Sequence, residues 1–104
     1  MLPSTLIRRG WCQRALAVDG VGEEVDPESS EAVAWCLSAA AYVARPYAHY
    51  SYLQYLNAVR EHIGVVASEW NDAPHRTQAE VLALCLEVER SLNLVEVSRN
   101  YGTN

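Results

Sequence analysis

The side chains with the greatest chemical reach are three cysteines, Cys12, Cys36 and Cys85, and three histidines, His49, His62 and His75. Nucleophilic catalysis would need one of those thiols beside an imidazole base in a cleft. Cys12 stands nearest that role, because Arg8, Arg9 and Arg14 flank it and guanidinium charge lowers a thiol pKa. With no family motif around it, Cys12 reads better as a packed thiol. Asp72 and His75 have the composition of an acid–base pair, so a small enzyme using Cys12 or His75 is one alternative, although a loop between helices explains the pair as well. A metal site would need ligands preset by local spacing, and C-x-x-C, H-x-x-x-H and H-E-x-x-H are all absent. His49 and His62, 13 residues apart, would point about 220° apart on one helix. Gly20 and Gly22 lie among carboxylates and would repel a phosphate. No metal, cofactor or catalytic residue is expected.

The charge is more informative. The 104 residues carry a formal charge of −5, and all eight basic residues are arginine. Without lysine there is no Schiff-base or P-loop chemistry. The acidic total argues against direct nucleic-acid binding, which depends on cationic side chains displacing counterions from phosphate. The distribution is polar along the chain. Residues 1–17 hold Arg8, Arg9 and Arg14 with no acid, whereas residues 18–31 hold Asp19, Glu23, Glu24, Asp26, Glu28 and Glu31 with no base. Such a stretch serves either as a solvated loop or as a surface for a basic partner.

The elements that must carry these residues read as helices. Ser4 to Arg9 predicts a short helix stopped by Gly10, and residues 19–27 form an acidic loop or weak hairpin. A second helix is expected from Asp26-Pro27-Glu28, where Asp caps and Pro fits the first turn, to just before Pro46. Its core stripe is Val33, Cys36, Leu37, Ala40, Val43 and Ala44. Pro46 then opens a third helix running to about Ile63, with Tyr52, Tyr55, Leu56, Val59, Ile63 and Val66 on one face. Residues 69–76 connect to a fourth, started by the capping box Thr77-Gln78-Ala79-Glu80 and buried through Val81, Leu84, Cys85, Val88 and Leu92, with Leu82 and Leu86 widening the face. Residues 94–104 read as a frayed tail.

The expected fold is therefore an all-α single domain over residues 1–104, a small bundle of three main helices plus a short N-terminal helix. A mass of 11.6 kDa suffices for a conventional core, burying roughly 60% of the unfolded surface. Neither a signal peptide nor a membrane span is expected, since no apolar run approaches about 18 residues. The odd, widely spaced cysteines suit a reduced, cytoplasmic protein.

The aromatics left over from the core stripes are Trp11, Trp35, Tyr42, Tyr47, Tyr50, Trp70 and Tyr101. Trp and Tyr are enriched at interface hot spots. Trp35, Ala39 and Tyr42 share the second face of the second helix, with Tyr47 and Tyr50 on the wet side of the third. Either the first helix covers Trp35, or this face binds a partner or a second copy in a homodimer.

The run Gly10-Trp11-Cys12-Gln13, the acidic loop reaching Val25-Asp26-Pro27, Glu31-Ala32-Val33-Ala34-Trp35-Cys36-Leu37, and Trp70-Asn71-Asp72 followed by Arg76-Thr77-Gln78-Ala79-Glu80-Val81-Leu82 resemble a family of small uncharacterised proteins of bacteria and their phages. The likeness extends from residue 6 to about 90. It departs at Ser38-Ala39, where the family pattern has Gly-Ala, and in a shorter N-terminal helix. The resemblance implies no activity and no catalytic residues. Together with the charge it favours a non-catalytic protein-binding module, in its most concrete form a phage or prophage anti-defence inhibitor of anti-CRISPR type that occupies a basic surface of a host nucleoprotein complex.

Overall fold

The computed structural model describes residues 1–94. The chain is mostly helical, yet it is not purely α. Its order is α1 (Pro3–Arg9), β1 (Ala17–Val18), β2 (Ala34–Trp35), α2 (Leu37–Ala48), α3 (Tyr52–Ile63), α4 (Ala67–Asn71) and α5 (Gln78–Ser91). Helix α1 packs against both α2 and α5, and α3 bridges the same two helices.

The expected second helix begins eleven residues too early, because residues 26–36 are turns and strand rather than helix. Asp26 and Ser29 satisfy their own neighbours: Asp26 Oδ1 accepts from Glu28 N at 2.8 Å and Ser29 Oγ from Glu31 N at 3.0 Å. Such local bonds compete with a helix. Residues 33–36 then find backbone partners on both sides. Trp35 N donates to Gly10 O (3.1 Å) and Cys12 N to Trp35 O (3.2 Å), a parallel bridge. On the other side Ala17 pairs with Trp35 and Val18 with Ala34, antiparallel. Val33, expected in the core, is consequently 49% exposed.

Helix α2 starts at Cys36, whose Sγ accepts from Ala39 N, and buries Leu37, Ala40 and Ala44 as expected, together with Ala39 and Ala41. It runs straight through Pro46, contrary to the sequence expectation. A proline in the last turn deprives only one carbonyl of its bond, that of the residue four back. That residue is Tyr42, and the Arg45 guanidinium donates to its carbonyl oxygen instead. His49 at φ 56° reverses the chain and Ser51 caps α3.

Helix α3 ends at Gly64, whose φ of 78° lies in the left-handed region that favours glycine. It buries Tyr55, Ala58 and Val59 and half-buries Tyr52, Leu56 and Ile63, while Val66 lies beyond it and is exposed. The connection after it contains the short α4. The capping box of α5 is present, with Thr77 Oγ1 accepting from Glu80 N (3.2 Å) and Glu80 Oε1 from Thr77 N (2.9 Å). Val81, Leu84, Cys85 and Val88 are buried, Leu82 and Leu92 partly so, and Leu86 faces outward. Glu89 is also buried. Its carboxylate accepts from Ser4 N (2.9 Å), Ser4 Oγ (2.6 Å) and the Tyr55 hydroxyl (2.8 Å), tying α1, α3 and α5 together. The expected tail over residues 94–104 lies, apart from Leu94, outside the described residues, as does Tyr101.

Candidate functional site

The acidic stretch is a shaped strap. Asp19 Oδ1 accepts from Val21 N (3.1 Å) and Glu23 N (2.8 Å), forming a tight turn with Gly22 at φ 87°. Val18 bridges Glu24 antiparallel, so the hairpin reading of this loop holds. The chain then crosses beside α2, where the Trp35 indole N–H donates to Pro27 O at 2.9 Å. Val33 N closes the excursion on Val18 O, also at 2.9 Å.

This fastening sets Asp26 and Glu28 beside the helices. Between the strap and α2 lies an open cavity of about 430 Å³. Asp26, Pro27 and Glu28 form one wall, Tyr42 and Tyr52 the other, and Leu16 borders it. Ser38 and Ala39 from the first turn of α2 complete the lining. The tyrosine rings stand perpendicular, with centroids 5.4 Å apart. The Arg45 guanidinium carbon sits 3.7 Å from the Tyr42 centroid. Burial pushes the Tyr52 phenol above its ordinary pKa, as expected for a group set into apolar surroundings.

The remaining candidate residues are dispersed. Glu24 borders a second depression with Arg14, Cys36 and Asp72. Glu23 and Glu31 are exposed, and Asp19 uses its carboxylate within the turn. Tyr47 is 54% exposed on the far side of the strap, near Arg9. Two expected surface aromatics are interior. Trp35 is 7% exposed because its indole holds the strap, so the anticipated homodimer face of Trp35, Ala39 and Tyr42 reduces to Tyr42. Tyr50, turned inward after His49, donates its hydroxyl to Ala41 O and packs on Tyr55 at 5.2 Å.

Cys12 is the packed thiol the sequence favoured, and the flanking arginines do not activate it. Its thiol is pushed up to about 11, chiefly by burial, with Cys36, Asp72 and Glu24 adding negative potential. Burial likewise raises Cys36 against the opposing backbone N–H bonds at its cap, and takes Cys85 to about 12. These thiols are protonated at neutral pH. Among the described residues no group of three or more His, Cys, Asp or Glu is placed to hold a metal ion, and no helix is long and apolar enough to cross a membrane.

Asn71, which the sequence showed only as part of the run Trp70-Asn71-Asp72, organises the surrounding frame. Its side chain is buried; Oδ1 accepts from Trp11 Nε1 (2.7 Å) and Leu37 N (3.1 Å), and Nδ2 donates to Cys12 O (3.2 Å) and Asp72 Oδ1 (2.9 Å). Two donors on one side and two acceptors on the other admit only this amide orientation. Gln13 Nε2 donates to Asn71 O (2.9 Å) and Ala73 O (2.8 Å), and Gln78 Nε2 to Ile7 O (2.8 Å). The Arg76 guanidinium stacks on Trp70, 3.7 Å from the centroid, while its Nε donates to Trp70 O (2.9 Å). Residues that stand out in the sequence as motifs therefore meet in space as a scaffold. The signal available beforehand was their clustering of Trp, Asn and Gln, side chains that need partners when buried.

Comparison with known proteins finds no match to a curated protein and none to a solved structure. Residues 4–91 match a family of unknown function, DUF6197, and the chain belongs to that family.

Proposed function

We propose that the protein is a non-catalytic protein-binding module whose acidic strap docks on a basic surface of its partner. The observation that carries this reading is the preformed cavity whose lining includes Asp26 and Glu28 together with Tyr42 and Tyr52. Carboxylates displayed on a fastened strap lose little conformational freedom on binding, so more of the interaction energy reaches affinity. The whole acid-only stretch steers a basic partner toward that face and raises the encounter rate. The ion pairs Arg76–Glu80 and Arg90–Glu87 involve α5 and leave the strap's charge uncompensated by those arginines. A basic groove of a nucleoprotein effector, as an anti-defence inhibitor would block, has the complementary chemistry.

The test is comparative capture from a lysate of the source cell with the wild-type chain and with a Glu23→Gln, Glu24→Gln, Asp26→Asn, Glu28→Gln variant. Asparagine at 26 keeps an acceptor for Glu28 N, so the strap keeps its turn. A specific partner should be retained by the wild-type chain, released by salt, and retained about tenfold less by the variant. Equal retention by both would remove the electrostatic reading.

A further inference from the structure

The carboxylates of the strap alone would be a solvated edge; the walled cavity beside them has a more definite chemistry. It is lined by the acidic residues Asp26 and Glu28 of the strap, both exposed, by Tyr42 and Tyr52, and by Leu16. An apolar ligand would gain from the rings and Leu16 but nothing from the exposed Asp26 and Glu28. An anion would be repelled by them. A flat cation with an aliphatic stem meets every wall: its charge faces carboxylate, its plane lies along a ring, and its methylenes touch Leu16 and Pro27. At about 430 Å³ the cavity is at the small end of ligand pockets, sized for a side chain or two.

Guanidinium fits these walls better than ammonium, because it is planar, weakly hydrated, stacks on aromatic faces and can engage carboxylate bidentately. The fold itself demonstrates the pairing twice, with Arg45 over Tyr42 and Arg76 over Trp70, each at 3.7 Å. Arg45 is held to one side by its bond to Tyr42 O and does not line the cavity.

We infer that this cavity between the strap and α2 is a receptor for one arginine side chain of the protein partner. The inference rests on the binding reading above and specifies the group at its centre.

The probe is N-acetyl-arginine amide, titrated into the full-length 15N-labelled protein and followed by amide shifts. N-acetyl-lysine amide and the uncharged isostere N-acetyl-citrulline amide serve as controls. Saturable shifts are expected at Ser38, Ala39, Tyr42 and Tyr52 in the low millimolar range, weaker binding for lysine, and no saturation for citrulline. Tyr42→Leu should weaken arginine binding about two- to fivefold, the scale of an exposed cation–π contact, and Asp26→Asn with Glu28→Gln by at least as much. An unaltered amide spectrum in each free variant establishes that it folds. Shifts mapping elsewhere, equal binding of citrulline, or unchanged affinity in both folded variants would overturn the inference. Because no partner enters this titration, its failure is distinct from that of the docking reading. Partner capture that depends on the strap while the cavity ignores arginine would sink the inference alone, and arginine binding with capture indifferent to the strap would sink the docking reading alone.

Discussion

Replacing Asn71 with alanine is expected to be among the costliest single changes in this fold, and the cost can be worked from its four side-chain hydrogen bonds. Alanine deprives Trp11 Nε1 of its acceptor, Leu37 N of the bond that caps α2 from another element, and Cys12 O of its donor. The Asp72 oxygen still accepts from Arg14 N at 3.0 Å. Each buried group left unsatisfied costs about 1–3 kcal/mol. Water entering the vacated polar space returns part of that, so a net loss of about 3–4 kcal/mol is expected. A domain of this size holds about 5–15 kcal/mol in total, and each kcal/mol moves Tm by about 4–8 °C. Thermal unfolding by far-UV circular dichroism should therefore show a midpoint lowered by roughly 12–30 °C. Urea titration should give the same loss with an unchanged slope. Asn71→Asp sharpens the test. It restores both acceptor contacts but aims its second oxygen at Cys12 O and the Asp72 carboxylate, so above its pKa it should fall at least as far as alanine. A loss below about 1 kcal/mol for both variants would refute the claim that this amide holds the frame.

Three further expectations follow from the structure. At Gly10 the φ of −178° is open to any residue, so Gly10→Ala isolates a steric effect: the new Cβ would lie 2.2 Å from Val33 O, costing about 1–3 kcal/mol in urea unfolding, and a neutral result would deny the close approach. Cys12 is raised from an ordinary 9.0 to about 11, which cuts its thiolate fraction about a hundredfold, so iodoacetamide at pH 8 should label it about that much more slowly than a free thiol, as read by mass spectrometry. The folded state prefers the thiol, so the Cys12 and Cys85 contributions to stability are intact below pH 9.0 and lost as pH rises through about 11 and about 12; a midpoint that climbed over that window would contradict the sign.

Helix α3 starts at Tyr52 behind its cap Ser51 and not at Pro46, which stays inside α2. Its buried face and helices α1 and α5 were legible because their signals are local, in the apolar spacing and in the Thr77–Glu80 box. The start of α2 was not. Asp26-Pro27-Glu28 carries every local mark of a helix N-terminus, and what overrides them is backbone pairing of residues 33–36 with residues 10–12 and 16–18, distant in sequence. Pro46 misled for a related reason, since the side chain before it supplies the donor that proline lacks. Of the candidate site, the run of carboxylates was plain in the sequence. That Asp26 and Glu28 border the same cavity as Tyr42 was not, because their placement depends on one indole bond from Trp35 to Pro27. Tyr42, Tyr47 and Tyr50 look alike on paper, and only the left-handed turn at His49 sends Tyr50 inward.

The bond from Val33 N to Val18 O gives the strap a property of its own. Residues 19–32 leave the scaffold and return to it at adjoining points, held between them by Val25 N on Ala17 O, by Pro27 O on the Trp35 indole and by Ala32 against the core, while Glu23, Glu24, Glu28 and Glu31 stay exposed. Lengthening such an excursion is cheap, about 0.6 kcal/mol for a doubling, and its outer face touches only solvent. A frame of this kind can exchange the exposed charges of its strap, or lengthen its outer turn, and keep its core. Diversification of what is bound would then concentrate between residues 19 and 32, with Gly10, Trp11 and Asn71 held constant by the packing they serve.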